Sequence, residues 1–243
     1  MSDQRPSVTE VYDDAATDWD AAHADRQNPV FKKQLHESLL TLLEPARGRA
    51  TAVELGAGTG PYIGIVAPLF QRLVCTDISA GMLEVLELRR QKLGLNSVES
   101  QREDATALTG IPDGSVDAIY SVGLFETVPD PLPVFVAARR ALRAGGIFAG
   151  ITSNGSCPWY AVRKHVEGGE RAGHIVRYLK ADEVRTLAAR SRFEVSLVDC
   201  WGLLPPGIAN PVLVRLLDGL GTALHATVLA RYLGVLAFRL IAK

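Results

Sequence analysis

The stretch Ala52-Val53-Glu54-Leu55-Gly56-Ala57-Gly58-Thr59-Gly60 predicts the centre of the fold. Its first four residues have the pattern of a buried strand, and three glycines follow at alternate positions. Glycine tolerates positive φ and has no Cβ, so the backbone can turn sharply and approach a bound molecule closely. A helical pattern continues to about residue 70, with N–H groups directed outward from the turn. The stretch therefore predicts a strand, a glycine turn and a helix that seat a nucleotide-like cofactor.

The spacing of the glycines distinguishes two classes of cofactor. The dinucleotide pattern G-x-G-x-x-G requires a third glycine where this chain has Pro61, which disfavours a nicotinamide oxidoreductase. The pattern E-x-G-x-G-x-G, with Glu54 as the acid and Gly56, Gly58 and Gly60 as the glycines, instead resembles motif I of the class I S-adenosylmethionine-dependent methyltransferases, in their small-molecule branch. The resemblance implies that Glu54 and the amides of the turn hold the methionine end of the cofactor.

The composition limits the class of protein. The chain has 243 residues, 47% of them hydrophobic, which is enough for one α/β domain with a substantial core. Lysine and arginine number 26 against 27 acids, so nucleic acid is not expected as a partner. The three cysteines lack C-x-x-C spacing, and we expect no disulfide framework and no metal. The first 20 residues do not have the pattern of a signal peptide, so a cytoplasmic location is expected.

Two acids follow the second and third predicted strands. Asp77 lies roughly 20 residues beyond the glycines, where a carboxylate can accept both ribose hydroxyls. Ile78 and Met82 would then form an apolar wall for the adenine. The alternative is that Asp77 only caps the next helix. The resemblance assigns recognition of the adenine amino group to Asp104, in the acid-Ala pair with Ala105; the alternative is a solvated loop acid. Ser121 and Val122, at the end of the fourth strand, complete this side of the predicted cofactor site.

The N-terminal segment is predicted to cover the cofactor. Apolar residues at helical spacing follow Ser7, which is expected to cap the helix. Residues 12–20 also match the Y-D-x-x-A-x-x-Y/W-D stretch common in the family, which there closes over the methionine end of the cofactor. This assigns Tyr12 and Trp19 to the site, where aromatic faces could accommodate the sulfonium charge. The alternative is a helix that only covers an edge of the core.

The general base and the acceptor site are less clearly marked. Thr127 stands where many relatives have a histidine, so a base would have to come from elsewhere. Glu126 matches the family acid, although a glutamate that only bonds backbone groups fits equally well. His174 is the leading base candidate, because its H-x-x-R stretch borders the acceptor pocket in the family. The loop after the fifth strand lies where α/β sheets bind ligands. Its predicted substrate-binding residues are Asn154, Trp159, Tyr160 and Arg177.

Six matched segments fall in family order over residues 10–152, among them R-x-L-x-x-G-G at 140–146. The resemblance implies a doubly wound, Rossmann-like α/β fold: a seven-stranded, mostly parallel sheet of order 3-2-1-4-5-7-6 with the last strand antiparallel. One domain would span residues 1–243. It comprises an N-terminal helical cap (1–45), a cofactor-binding core (46–152), a substrate-side region that ends in a helical insertion (153–232), and the last strand (233–243).

The insertion at residues 202–232 is apolar at helical spacing, and residues 201–243 carry four basic residues and one acid. Three interpretations are open: a core helix over the sheet edge, a dimer face, or a lid for a greasy substrate or membrane surface. The chain could therefore be a monomer or a homodimer, with peripheral membrane contact open.

The resemblance implies in-line transfer of a methyl group from S-adenosyl-L-methionine to a small-molecule acceptor, leaving S-adenosyl-L-homocysteine. The acceptor would be a natural product or other secondary metabolite, lipophilic ones included. Alternatives are a lipid or quinone methyltransferase at a membrane surface and a non-catalytic S-adenosylmethionine-binding protein. Whether oxygen, nitrogen or carbon is methylated is not decided by the sequence.

Overall fold

A computed structural model describes residues 7–20, 28–160, 177–203 and 210–243 of the chain. Its helices are α1 (Val8–Ala15), α2 (Pro29–Leu43), α3 (Ile63–Val66), α4 (Ala80–Lys92), α5 (Leu132–Ala141), α6 (Ala181–Arg190) and α7 (Pro211–His225). Short 3₁₀ turns occupy Glu44–Ala46, Ala67–Leu69 and Val228–Tyr232. The strands are β1 (Thr51–Leu55), β2 (Arg72–Asp77), β3 (Val98–Arg102), β4 (Val116–Val122), β5 (Leu142–Ser153), β6 (Phe193–Trp201) and β7 (Val235–Ala242).

The strands form one sheet of order β3-β2-β1-β4-β5-β7-β6, in which β7 runs antiparallel to both of its neighbours. This confirms the predicted fold class. In the register of the sheet, Val53 of β1 lies opposite Val74 of β2 and Ile119 of β4. The carboxyl ends of these three parallel strands therefore meet at one edge, which places the glycine turn, Asp77 and the end of β4 side by side.

Both faces of the sheet are covered, as expected for parallel strands with continuous apolar sequences. One hydrophobic cluster lies against α5 and α6, and the other lies against α2 and α3. Five phenylalanines form the aromatic part of the first cluster: Phe125, Phe135, Phe148, Phe193 and Phe238. Gly150 of β5 makes room for them, because a Cβ there would lie 2.2 Å from Cζ of Phe238.

One predicted helix boundary is wrong. The helix expected to run to about residue 70 is a single turn, α3, continued by a 3₁₀ turn. Pro68 lies in that 3₁₀ turn, and proline has no N–H for an α-helical bond. Farther along, α5 ends at Ala141, because Leu142 is extended and pairs with Val116 of β4.

The N-terminal helix and the insertion are both helical, but they bury different amounts of their apolar surface. Ser7 caps α1 in a reciprocal capping box with Glu10, as predicted. In α7 the apolar stripe is largely exposed, and the helix buries only Val214 and Gly221 fully. The interpretation of the stripe as a core helix is therefore wrong. Within the described ranges, no helix has the length and hydropathy needed to cross a membrane.

Candidate functional site

The glycine turn has the backbone conformation that its sequence predicts. The φ angles of Gly56, Gly58 and Gly60 are 65°, 54° and 73°, in the left-handed region that strains residues with a Cβ. A Cβ at Gly60 would lie 2.8 Å from Cγ of Leu86, whereas a Cβ at Gly58 would meet no described atom within 4 Å. The turn is thus packed on one side by α4 and open to a ligand at Gly58.

Asp77 joins the glycine turn to the start of α4. Its Oδ2 accepts a hydrogen bond from the Gly58 N–H at 2.8 Å, and its Oδ1 accepts one from the Ser79 N–H at 2.9 Å. Burial raises the pKa of Asp77, and these backbone bonds oppose the increase. The N-cap of α4 is Ser79, whose hydroxyl accepts from the Met82 N–H, so Asp77 bonds the cap residue and is not itself the cap. A carboxylate has about four acceptor sites, so ribose hydroxyls can still be accommodated. The ribose role stays a prediction.

Glu54 lies inside the sheet instead of facing the cleft. Its side chain is 1% exposed, and its Oε2 accepts hydrogen bonds from the Tyr120 hydroxyl at 2.8 Å and the Cys75 thiol at 3.7 Å. Burial raises the pKa of Glu54 to about 8, although both hydrogen bonds oppose this increase. Glu54 is therefore mostly a neutral acid near pH 7. Its predicted contact with the methionine end of a cofactor is not shown.

The N-terminal segment is tied to the rest of the site by two aspartates that the sequence interpretation overlooked. Asp13 accepts hydrogen bonds from the Ser79 hydroxyl at 2.5 Å and the Gly81 N–H at 3.0 Å, both at the start of α4. Asp20 accepts a hydrogen bond from the Thr59 hydroxyl at 2.6 Å in the glycine turn. Asp20 also forms an ion pair with Arg89 of α4. The sequence did contain a pattern that could have indicated these contacts, because an aspartate follows each aromatic residue in the pairs Tyr12-Asp13 and Trp19-Asp20.

This anchoring places the two predicted aromatic residues beside the cleft. The rings of Tyr12 and Trp19 are 5.2 Å apart at an angle of 55°. Burial raises the pKa of Tyr12, and the nearby charges of Asp77 and Glu126 raise it further. The Tyr12 hydroxyl therefore lies within electrostatic reach of the carboxylates of Asp77 and Glu126.

Glu126 lies on the acceptor side and is only partly satisfied. Its Oε1 accepts a hydrogen bond from the Ser153 N–H at 2.7 Å. Its Oε2 is buried, and no hydrogen-bond partner for it occurs among the described residues. Tyr160 lies nearby, with its ring 4.7 Å from that of Tyr178, and burial raises the pKa of Tyr160 to about 12. Ser121 has the same property as Glu126, since its buried Oγ lacks a partner in the described part of the chain.

Two residues predicted to bind the substrate, Asn154 and Arg177, have structural contacts in the fold. Asn154 is fully buried, where its amide nitrogen donates to the carbonyls of Arg231 and Leu233 at 2.8 and 2.7 Å, and its Oδ1 accepts from the Ser156 N–H. It therefore holds the end of β5 against the start of β7, and its prediction as a substrate ligand is wrong. The guanidinium of Arg177 bonds the Pro129 carbonyl at 3.1 Å and pairs with Glu183, which fixes a loop.

Met82 is 1% exposed, so it cannot form an open adenine wall. Ile78 is 37% exposed and remains available for that role. The exposed Asp104 forms a turn in which its Oδ1 accepts from the Thr106 N–H and hydroxyl at 2.8 and 2.7 Å, as in the loop alternative.

The remaining predicted positions lie where expected or outside the description. Ala105 follows Asp104 and packs against the first hydrophobic cluster, and Val122 ends β4. Trp159 is exposed beside Tyr160. His174 lies outside the described residues, so its role as a base stays a prediction.

Residues 53–150 match a family model described as a methyltransferase domain. The chain is 31% identical over 99 residues to Methyltransferase AacuQ of Aspergillus aculeatus, covering 41% of this chain and 31% of that protein. It is 29% identical to an uncharacterized 37.1 kDa protein in transposon TN4556 of Streptomyces fradiae, over 56% of this chain and 39% of that protein. It is 24% identical to a ubiquinone biosynthesis O-methyltransferase of Paracidovorax citrulli, over 63% of this chain and 66% of that protein. The chain thus spans less than two thirds of the length of each.

Solved structures share the fold at low sequence identity. A chain of the complex containing the Haloferax volcanii Trm112 methyltransferase activator superposes with a TM-score of 0.72 at 19% identity, covering 98% of this chain and 100% of that one. A geranyl diphosphate methyltransferase bound to GPP and sinefungin superposes with a TM-score of 0.65 at 19% identity, covering 88% of this chain and 79% of that one. The [4+2]-cyclase SpnF superposes with a TM-score of 0.69 at 15% identity, covering 97% of this chain and 95% of that one. Since a protein described as a cyclase has this fold too, the fold alone does not establish the reaction.

Proposed function

We propose that the chain binds S-adenosyl-L-methionine and transfers its methyl group to a small-molecule acceptor, since residues 53–150 match a family model described as a methyltransferase domain. The observation that carries the proposal is the link between the glycine turn and Asp77. Three successive alternate glycines have positive φ, and the Gly58 N–H bonds the Asp77 carboxylate at 2.8 Å. Together they form a cradle for a nucleoside at the carboxyl edge of the sheet.

The residues around this cradle fit the cofactor chemically. The amides of the turn and the carboxylate of Asp77 suit a ligand with ribose hydroxyls. Two buried oxygens, Ser121 Oγ and Glu126 Oε2, lack partners among the described residues, and a bound molecule would have to shift the packing around them before it could donate to either. The rings of Tyr12 and Trp19 lie 5.2 Å apart, with Tyr12 near the carboxylates of Asp77 and Glu126, and aromatic faces there would suit a positive charge. When bound, S-adenosylmethionine would supply a methyl group already activated on a sulfonium.

The residues of the chain would position the two reactants and exclude water from the cleft. The segment that carries Tyr12 is held on α4 by Asp13 and on the glycine turn by Asp20, so it can close the cleft against water. Aligning the two reactants within about 3–3.5 Å can supply most of the acceleration of such a displacement. The bonds that hold α1 in place therefore contribute to the reaction without touching the acceptor.

Glu126 is the described residue best placed to handle a proton. Its Oε1 is held by the Ser153 N–H, and its buried Oε2 would accept the proton of an acceptor hydroxyl once a bound acceptor reached it. We include His174 as a second base candidate. A neutral amine acceptor would need neither base.

The acceptor we propose is a natural product or other small secondary metabolite. A lipid or quinone acceptor at a membrane surface is the second candidate, favoured by the exposed apolar stripe of α7. The ubiquinone biosynthesis O-methyltransferase among the relatives is consistent with it. A non-catalytic cofactor-binding protein is the alternative from another class.

Replacing Asp77 tests the cofactor site. We expect Asp77→Ala to weaken S-adenosylmethionine binding at least tenfold, or about 1.4 kcal/mol, in isothermal titration. The control is Asp182→Ala, which removes an exposed aspartate from the first turn of α6. Melting curves of each variant show whether the fold persists, and Asp77→Asn serves if the alanine variant unfolds. Unchanged affinity in a folded variant would remove the ribose role of Asp77.

A transfer assay tests the activity. Radiolabelled methyl from S-adenosylmethionine is offered with phenolic, amine, polyketide and isoprenoid-lipid acceptors. Transfer to one class supports the proposal and identifies the acceptor. Binding of S-adenosylmethionine without transfer to any class would favour a non-catalytic protein, and NADH bound in its place would favour an oxidoreductase.

A further inference from the structure

Two polar side chains of helix α7 bond to the domain, on the same side as the buried Val214. Asp218 accepts a hydrogen bond from the Gln34 side chain at 2.7 Å, and His225 Nε2 lies 2.8 Å from Oδ1 of Asp199 on β6. Gly221 packs closely on residue 203, where a Cβ would lie 3.2 Å from Cβ of Leu203. These contacts fix the orientation of the helix, so its opposite side must face solvent.

That opposite side is apolar. At 100° per residue, Val212, Leu213, Leu216 and Leu220 fall within an arc of about 100°. Val212 is 75% exposed and Leu216 66% exposed. The 3₁₀ turn that follows adds three more exposed apolar or aromatic residues, among them Val228 at 85%. We call this set of seven the apolar face of α7: Val212, Leu213, Leu216, Leu220, Val228, Leu229 and Tyr232.

The apolar face of α7 groups exposed hydrophobic residues, which are scattered over the rest of the described surface. In the described part of the chain, the other exposed large hydrophobic residues are spread over several elements, and at most two of them, Leu88 and the C-cap Leu93, belong to one helix: Val8, Ile78, Leu88, Leu93, Val136 and Trp159. A contiguous exposed apolar patch is typical of a surface that binds another molecule. The fold itself does not require it, because Asp218 and His225 already attach α7 to the domain.

The charges beside the apolar face are positive. Arg215 and Arg231 are both exposed, and Arg231 lies over the ring of Tyr232 at 4.7 Å. Asp218 is the one acid in residues 210–232, and it faces Gln34. A helix with an apolar face, flanking arginines and an aromatic residue is typical of interfacial attachment to anionic lipid. A second copy is a poorer fit, because pairing the faces would bring arginines together without a free acid from either segment.

We propose that the apolar face of α7 docks on the surface of an anionic phospholipid bilayer. The docking does not depend on methyl transfer. Its consequence for substrate choice rests on the proposed function. Trp201 at the end of β6 pairs with Val235, which also pairs with Ser153 at the end of β5. The α7 segment thus leaves the sheet at the same edge as the candidate site, which would open toward acceptors dissolved in the membrane.

Co-sedimentation with vesicles tests the docking. The full chain is mixed with vesicles of phosphatidylcholine alone or with a third of phosphatidylglycerol. We expect binding to the anionic vesicles and at least tenfold less binding by Leu216→Glu/Leu220→Glu. The matched control is Leu88→Glu/Val136→Glu, which places two glutamates at exposed apolar positions on α4 and α5 and should bind as the wild type does. Arg215→Gln/Arg231→Gln should lose much of the preference for phosphatidylglycerol.

Three results would overturn the proposal. The first two are that the wild type does not bind anionic vesicles, or that the control variant loses as much vesicle binding as Leu216→Glu/Leu220→Glu does. The third is a wild-type dimer in sedimentation velocity that Leu216→Glu/Leu220→Glu dissociates while the wild type does not bind vesicles. S-adenosylmethionine titrations of the same variants keep the two proposals apart. We expect the glutamate variant to bind S-adenosylmethionine normally, so loss of vesicle binding alone concerns the membrane and loss of cofactor binding by the wild type concerns the proposed function.

Discussion

Gly58→Ala should weaken cofactor binding more than Gly60→Ala does, whereas Gly60→Ala should lower stability more. Both glycines have positive φ, 54° and 73°, so each substitution carries a left-handed penalty of about 1–2 kcal/mol. At Gly60 the new Cβ would also lie 2.8 Å from Cγ of Leu86 and 3.3 Å from Cγ2 of Ile63. Overpacking of this kind costs about 1–3 kcal/mol more. At Gly58 the Cβ would meet no described atom within 4 Å and would project where a ligand approaches the turn.

Thermal melting and isothermal titration measure the two effects separately. For a domain of this size 1 kcal/mol corresponds to roughly 2–4 °C, so Gly60→Ala should melt about 2–12 °C below Gly58→Ala. Gly58→Ala should bind S-adenosylmethionine at least tenfold more weakly than the wild type, whereas folded Gly60→Ala should stay within about threefold, since tenfold corresponds to 1.4 kcal/mol.

The result that refutes this reasoning is specific. If Gly58→Ala binds S-adenosylmethionine with wild-type affinity, the turn does not face the cofactor at that residue. If Gly60→Ala melts no lower than Gly58→Ala, α4 has moved away from the turn and the packing of Leu86 on Gly60 does not hold the loop in solution.

Two further predictions concern the surroundings of the turn. Burial raises the pKa of Glu54 from 4.5 to about 8, so the stability that the protonated side chain contributes is full below pH 4.5 and is lost as the pH rises to about 8. In urea unfolding at pH 5 and pH 8, the wild type should therefore be less stable at pH 8, and Glu54→Gln should remove this decline. An identical decline in both proteins would contradict the assignment. Gly81→Ala would place a Cβ 3.2 Å from the carbonyl oxygen of Asp13 and should loosen α1, lowering S-adenosylmethionine affinity severalfold with little change in melting temperature. Gly64→Ala, whose Cβ would make an ordinary contact at 3.7 Å with Leu93, is its matched control and should bind normally; equal affinity in both variants would show that α1 does not assist binding.

Local patterns predicted much of the fold and the cofactor side of the site. An apolar run followed by alternate glycines leaves few conformations, so β1 and its turn could be located from residues 52–60 alone. Asp77 could be located in the same way, because it ends an apolar run at a suitable distance from the glycines. The contacts of Asp13 and Asp20 could not, since each depends on α4 and the turn approaching α1 from more than 30 residues away in the chain.

From sequence alone, the strand and glycine turn at residues 52–60 could be located, because periodicity and glycine spacing are local properties of the chain, and the resemblance of its motifs implied the doubly wound α/β fold. The side chains exposed at the carboxyl edge of the sheet depend on packing. The folded chain buries Met82, uses the whole amide of Asn154 to join β5 to β7, and turns leucines of α7 outward. Burial and hydrogen-bond satisfaction depend on neighbours distant in sequence, and no local pattern specifies them.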